Sequence, residues 1–205
     1  MREPPADAQA ATQPESVLVA LARQGDLDAF DQLVAAHQSR IYNLCLWIIG
    51  DRDDAADAAQ DAFIRAFRFL SKFRGDAAFG TWVGRIAVNV ARDAAAKRKR
   101  APKSLTNGNP ETGEEPDERR ELAAEDASPA EILLRRERQL AVRKALAGLH
   151  ENHRVVLVLF EIQGFAYEDV AHILQLPVGT VKSRINRARQ ALRQALEKQR
   201  ELFDA

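Results

Sequence analysis

The chain has 205 residues, 46% of them hydrophobic and 29% charged, with 30 basic and 30 acidic side chains that cancel at neutral pH. That length suits one or two small domains, no apolar run is long enough to span a bilayer, and the polar, Pro- and Ala-rich start lacks the apolar core of a secretory signal, so a soluble cytoplasmic protein is expected. The single cysteine, Cys45, excludes an internal disulfide and a cysteine-based zinc site, and its neighbours Leu44, Leu46 and Trp47 point to a buried structural thiol.

The neutrality is an average. Residues 1–100 carry net +1, residues 101–130 net −5 and residues 131–205 net +4. A free-standing DNA-binding domain is usually basic as a whole. A chain built like this one needs a partner to hold DNA.

Residues 1–15 read as a disordered tail. Helical periodicity begins at Ser16, an expected N-cap, and Gly25-Asp26 and Gly50-Asp51 punctuate the first two helices. The segment DRDDAADAAQDAFIRAFRFL predicts a helix over 53–70. Its acidic start is favoured by the helix macrodipole, which alone accounts for Asp53, Asp54 and Asp57. The same residues also form a polar surface, Asp54, Asp57, Gln60 and Asp61, suited to a basic partner, with Phe63, Ile64, Phe67 and Leu70 expected to turn inward.

The loop KFRGDAAFG leads to a helix predicted over 81–100. Its apolar face is Val83, Ile86, Ala87, Val90 and Ala94, and Arg85, Asn89, Arg92, Ala96 and Lys99 line the other side. Cations beside Phe73, Phe79 and Trp82 are what single-stranded DNA asks for, since bases stack on aromatic rings and phosphates seek cations. Equally, the aromatics would serve as core and KRKR as a solvated helix end.

Residues 101–129 change composition to Pro, Gly, Asn and Glu. Such a segment cannot bury enough surface to order itself and reads as a flexible acidic linker. The linker divides a first domain, 16–100, from a second, 130–205, and the two units are expected to take variable mutual orientations. In the second domain, VVLVLF over 155–160 has strand propensity but a helical setting, which favours a buried helix.

The stretch YEDVAHILQLPVGTVKSRINRARQAL predicts a helix over 167–174, a tight Leu-Pro-Val-Gly turn, and a second helix with Thr180 as its cap. Two short helices joined this way are a helix-turn-helix signal. On the second helix Val181, Ile185, Ala188 and Leu192 share one side. Ser183 and Gln190 lie opposite, flanked by Lys182, Asn186 and Arg187, with Arg184 and Arg189 at the edges of the apolar stripe. Lys and Arg suit guanine, Asn suits adenine, and edge arginines suit phosphates. The bland alternative is a basic, solvated helix face. The fold class that emerges is all-α, two small helical bundles.

These segments together resemble the extracytoplasmic-function group of the sigma-70 family, the small bacterial sigma factors. DRDDAADAAQDAFIRAFRFLSKFRGDAAFGTWVGRIAVN is similar to the family's region 2, and HRVVLVLFEIQGFAYEDVAHILQLPVGTVKSRINRARQAL to its region 4, a helix-turn-helix domain. The resemblance implies that Asp54, Asp57, Gln60 and Asp61 dock on the β′ coiled coil of core RNA polymerase. Phe73, Phe79 and Trp82 would hold an extruded base of the minus-10 element, with Arg85, Asn89 and Arg92 contacting DNA there. Lys182, Ser183, Arg184, Asn186, Arg187 and Arg189 would engage the minus-35 element. Further implied partners are the polymerase β flap and an anti-sigma factor. No small-molecule substrate, catalytic residue, metal or cofactor is implied. Four residues depart from the family pattern: Ala166 where a Ser or Thr cap is usual, Gln175 in place of a turn glycine, and Gly80 and Gly84 inside a helix. A stand-alone helix-turn-helix regulator and a helical adaptor are the competing readings. Both leave the aspartate helix and the FRGD…TW block unexplained.

Overall fold

The computed structural model describes residues 13–100 and 128–197, and all of its described elements are helical. The expected tail and nearly all of the expected linker lie outside these residues. The N-terminal unit contains α1 (Glu15–Arg23), α2 (Leu27–Ile49), α3 (Arg52–Phe69), a 3-10 turn (Leu70–Lys72) and α4 (Phe79–Arg100). The C-terminal unit contains α5 (Pro129–Gly148), α6 (Glu151–Leu157), a π turn (Val158–Ile162), α7 (Tyr167–Leu174) and α8 (Val178–Leu196).

Local chemistry sets most of the helix ends. Asp26 caps α2 by accepting from the Ala29 amide, and Gly50 ends it in the left-handed region at φ +83°. Asp51 caps α3 by accepting from the amides of Asp53 and Asp54. Ser128 and Glu131 form a reciprocal capping box at the start of α5, which satisfies two otherwise orphaned amides. Two expected caps are corrected. Ser16 lies inside α1, whose N-cap is Pro14, and Thr180 lies inside α8, whose N-cap is Pro177.

The helix expected over 81–100 begins two residues earlier, at Phe79. Its cap is not local. The Phe79 amide donates to the Glu15 carboxylate at 3.1 Å, and the other oxygen of that carboxylate sits 2.9 Å from His37 Nε2. One acidic side chain on α1 therefore fixes the start of α4 against α2.

The N-terminal core packs α2, α3 and α4 through Leu33, Ile41, Leu44, Ile48, Phe79, Val83 and Ala87, all at most 1% exposed. A row of alanines on α3, Ala55, Ala58, Ala62 and Ala66, lets its neighbours approach closely. Cys45 is fully buried, and desolvation pushes its thiol pKa up to about 12, so it is an inert core group. In the second unit, Val155 through Leu159 are all at most 1% exposed. Their unbroken apolar run is a helix and π turn enclosed on every side, as the helical setting indicated.

The two units pack against each other. The sequence-based expectation of variable orientation rested on the linker, whose composition carries no information about complementary surfaces on the units themselves. In the structure, α4 lies on α7, and α2 touches α5, α6 and the π turn.

Candidate nucleic-acid interface

The acidic surface of α3 is formed as expected, with additions. Asp57 and Gln60 are exposed, and Asp61 is half-buried in an i,i+4 ion pair with Arg65 at 2.7 Å. Asp54 is not a bare anion. It and Asp51 share the Arg98 guanidinium from the far end of α4. Burial pushes the Asp51 carboxyl up, but bonds from the Asp54 amide, Arg98 and the Asp53 amide outweigh it and hold the group below its ordinary range. One arginine of KRKR is thus a strut between helices rather than a solvated end. Ile64 and Phe67, expected to face inward, are 43% and 44% exposed and prolong this surface, whereas Phe63 and Leu70 are buried. Phe67 meets Phe30 edge-on at 5.0 Å.

Phe73, Phe79 and Trp82 form one aromatic cluster, with ring centroids 5.0 to 6.1 Å apart. All three belong to the core, Phe79 at 1% exposed and Phe73 and Trp82 at 7% each. Phe73 and Trp82 line a pocket of about 230 Å³ with Lys72, Arg74, Asp76, Ala77, Arg85 and His172. This is smaller than the roughly 300 Å³ at which clefts for drug-sized ligands begin. Its lining combines the cations of Lys72, Arg74 and Arg85 with the Asp76 carboxylate and the small exposed parts of two largely buried aromatic rings; cations beside aromatic surface are what a nucleotide's phosphate and base require. Asn89 is exposed one turn beyond Arg85. Arg92 is half-buried and engaged by the other unit, 3.0 Å from the Glu151 carboxylate and donating to Asn152 Oδ1 at 3.3 Å.

On α8, Val181, Ile185 and Ala188 are buried and Leu192 half-buried, while Lys182, Ser183, Asn186, Arg187 and Gln190 are exposed. The Ser183 hydroxyl donates back to the Thr180 carbonyl at 2.9 Å. Arg184 is half-buried. Arg189 is held by Glu161, with nitrogens 2.6 and 2.7 Å from one carboxylate oxygen, and lies over Phe160. Phe160 stacks on Tyr167 at 4.5 Å, and the Lys182 ammonium sits 5.3 Å above Tyr167. Among the described residues no group of three or more His, Cys, Asp or Glu is placed to hold a metal ion, and no helix is long and apolar enough to cross a membrane.

The family model for Sigma-70 region 2 matches residues 33–101, and that for Sigma-70, region 4, matches residues 139–192. The chain belongs to the sigma-70 family. It is 40% identical over 193 residues to the RNA polymerase sigma-H factor of Pseudomonas aeruginosa, covering 88% of this chain and 92% of that one. It is 38% identical over 183 residues to the ECF RNA polymerase sigma-E factor of Escherichia coli, covering 87% and 92%. Among solved structures it is similar to CnrH in complex with the cytosolic domain of CnrY, at TM-score 0.65 and 28% identity over 90% of this chain and 97% of that one. The fold also matches the sigma factor RpoE of Bartonella quintana, at TM-score 0.59 and 23% identity over 82% and 96%. These likenesses place the chain in the extracytoplasmic-function group, whose members direct transcription initiation by core RNA polymerase at promoter DNA.

The sigma factor's departures from its family pattern now have structural settings. Ala166 starts α7 with no side-chain cap, and Gln175 ends it in the left-handed region at φ +53°. Gly80 lies under the His37 ring, where a Cβ would come within 2.8 Å of Cε1. Gly84 lies under Ile173 and Phe165 of the other unit. The residues that hold the two units together, Arg40, Thr81, Asp169 and His172 among them, carry no signal in the sequence. Each is a common residue type on an amphipathic helix, and the hydrogen-bond partner is 123 positions away for Arg40 and 88 for Thr81.

Proposed function

We propose that this cytoplasmic sigma factor reads the minus-10 element with the Phe73–Trp82 pocket and α4, and the minus-35 element with the exposed face of α8. The pocket carries the reading. It is small, it brings Lys72, Arg74 and Arg85 together with Asp76, and it lies over the largely buried rings of Phe73 and Trp82, which an entering base would uncover further to stack on. Phe79 supports it from behind, and Arg85, Asn89 and Arg92 follow the strand. On α8, Lys182, Asn186 and Arg187 are the base readers, while Arg184 and Arg189 are placed at the edges for phosphates. Arg189 would leave Glu161 to take that role.

The docking face for the β′ coiled coil is Asp54, Asp57, Gln60 and Asp61, extended by the exposed apolar pair Ile64 and Phe67. A groove of about 600 Å³, lined by Leu157, Leu192 and Leu196 together with the charged Glu161, Arg189, Arg193 and Glu197, would take an amphipathic segment of the β flap. A protein regulator of the anti-sigma kind is supported by the solved CnrH complex, in which the partner is the cytosolic domain of another protein.

Transcription in vitro with core polymerase tests the function, and charge reversal tests the docking face. Asp57→Lys with Asp61→Lys should abolish capture of core enzyme, because like charges facing each other across an interface cost several kcal/mol. Circular dichroism must show intact helices. Undiminished capture would remove α3 from the interface.

A further inference from the structure

The first turn of α4 carries part of the minus-10 pocket, and nothing beside it in the sequence holds it. A helix begins with amides that have no partner inside the helix, and the two residues before Phe79 are Ala77 and Ala78, which offer no side-chain acceptor. The acceptor comes from α1. Glu15 takes the Phe79 amide at 3.1 Å with one carboxylate oxygen, and its other oxygen lies 2.9 Å from His37 Nε2 on α2. Helix α1 is itself anchored on α2, with Leu18 and Ala22 each 4% exposed. The carboxylate is therefore presented from a fixed element.

A glycine seats the histidine. A Cβ at position 80 would stand 2.8 Å from His37 Cε1 and 3.0 Å from Nδ1, closer than carbon and nitrogen atoms pack. Glycine is a poorer helix residue than alanine, so an alanine here would favour the helix and displace the ring. The His37 ring in turn lies 5.6 Å from that of Phe79. Gly80 is one of the four departures from the family pattern, and this contact gives it a reason.

The fixture bears on the pocket. Phe79 packs on both pocket rings, 6.1 Å from Phe73 and 5.8 Å from Trp82. Trp82 belongs to the same first turn, its amide donating to the Ala78 carbonyl at 3.0 Å. Phe73 follows the 3-10 turn, which α1 also touches. Both aromatic walls thus hang from segments that α1 braces. Glu15, His37 and Gly80 are not among the residues that line the pocket. They reach it through Phe79. A recognition site works only while its groups stay within about 0.5 Å of the productive geometry.

We infer that Glu15, with His37 seated on Gly80, is a positioning residue for the minus-10 element: it sets the first turn of α4 and thereby the fit of Phe73 and Trp82 to an extruded base. This inference rests on the minus-10 reading proposed above. A purely structural tether changes stability and the fraction of active molecules. A positioning residue changes in addition which base is accepted.

The experiment uses the full chain assembled with core polymerase. The probe is a library of linear templates with random bases over the minus-35 and minus-10 regions, and the templates that yield RNA are sequenced. The readout is the preference ratio, the frequency of the favoured base over the next at the most selective minus-10 position. Loss of active molecules lowers all transcripts alike and leaves this ratio unmoved. Glu15→Ala should lower the ratio about two-fold or more, the lower end of what a residue without ligand contact does to a distant site. Glu15→Gln keeps an acceptor opposite the Phe79 amide and should restore most of the preference. Gly80→Ala pushes the His37 ring aside without weakening the helix and should lower the ratio as well. It decides alone should Glu15→Ala fail to fold. An unchanged ratio in the folded Glu15→Ala chain, or a Glu15→Gln chain as defective as Glu15→Ala, overturns the inference. Trp82→Ala separates it from the reading beneath. If Trp82→Ala lowers the ratio and Glu15→Ala does not, the pocket stands and the positioning role falls. If Trp82→Ala leaves the ratio unchanged, the pocket reading itself falls, and the inference with it.

Discussion

Arg187 and Arg189 differ by two positions on α8 and have different surroundings. Arg187 is exposed on the side away from the apolar stripe, while Arg189 is neutralised by Glu161 at the rim. Arg187→Ala should therefore weaken binding to a minus-35 duplex by about 1–3 kcal/mol and relax base preference at one position, with an unchanged melting temperature. Equal binding to matched and mismatched duplexes before and after substitution would exclude Arg187 from base reading. Asp51 gives a pH prediction. Its folded pKa is depressed, so its stabilisation is present above the unfolded value near ~3.9 and is lost as pH falls through the folded one. The difference in urea midpoint between the native chain and Asp51→Asn should hold from pH 7 down to about 3.9 and narrow only as pH falls further, through the folded pKa. A constant difference would mean the carboxylate charge is irrelevant to the α3 cap. At this scale the sequence spoke clearly about Asp57, Gln60, Lys182 and Asn186, whose exposure follows from local helix geometry. It failed for Ile64 and Phe67, expected inside and found exposed, and it left Phe73, Phe79 and Trp82 open between core and DNA contact; all three are buried, because of what the rest of the chain brings near them.

Elements whose boundaries are written in neighbouring residues were legible. The predicted helix 167–174 is α7, because its apolar spacing is short-range and its flanks, Gly164 and the Leu-Pro turn, are strong breakers. The start of α4 was not legible, because the carboxylate that caps it comes from Glu15, 64 residues away. The helix-turn-helix also carries two local imperfections. Ala166 begins α7 with extended backbone, is exposed, and offers no side-chain acceptor. Ala166→Ser should add about 0.5–2 kcal/mol by capping. Gln175 holds a left-handed conformation that costs an L-residue roughly 1–2 kcal/mol, so Gln175→Gly should recover about 1 kcal/mol, less what glycine loses in the unfolded chain. Denaturant midpoints of the two single variants and the pair test both, and near-additivity is expected because the sites lie at opposite ends of α7. A destabilised Gln175→Gly would show that the glutamine side chain contributes more than its backbone conformation costs.

For the whole molecule, two bundles could be read from two motifs separated by a polar segment, but their contact could not. The surfaces that meet, α4 with α7 and Arg40 with the 163–165 turn, are individually ordinary. Only their pairing is informative. The segment between them is different in kind. Residues 101–130 carry net −5 in a chain whose total is zero. On the proposed reading, a polymerase that holds both domains on separated promoter elements would let this segment cross it, through passages that are basic because they carry nucleic acid. An acidic segment there would compete with the growing transcript for the same cations. Replacing Glu111, Glu114, Glu115, Asp117 and Glu118 with Ser and Gly at constant length removes five negative charges and leaves reach nearly unchanged. The expected outcome is an altered ratio of abortive to full-length RNA, with the thermal unfolding of both units unchanged. Shortening the segment would confound charge with reach. An unaltered ratio in the length-matched variant would reduce these residues to a plain tether, and the excess of negative charge would then serve only to balance the basic faces of α4 and α8.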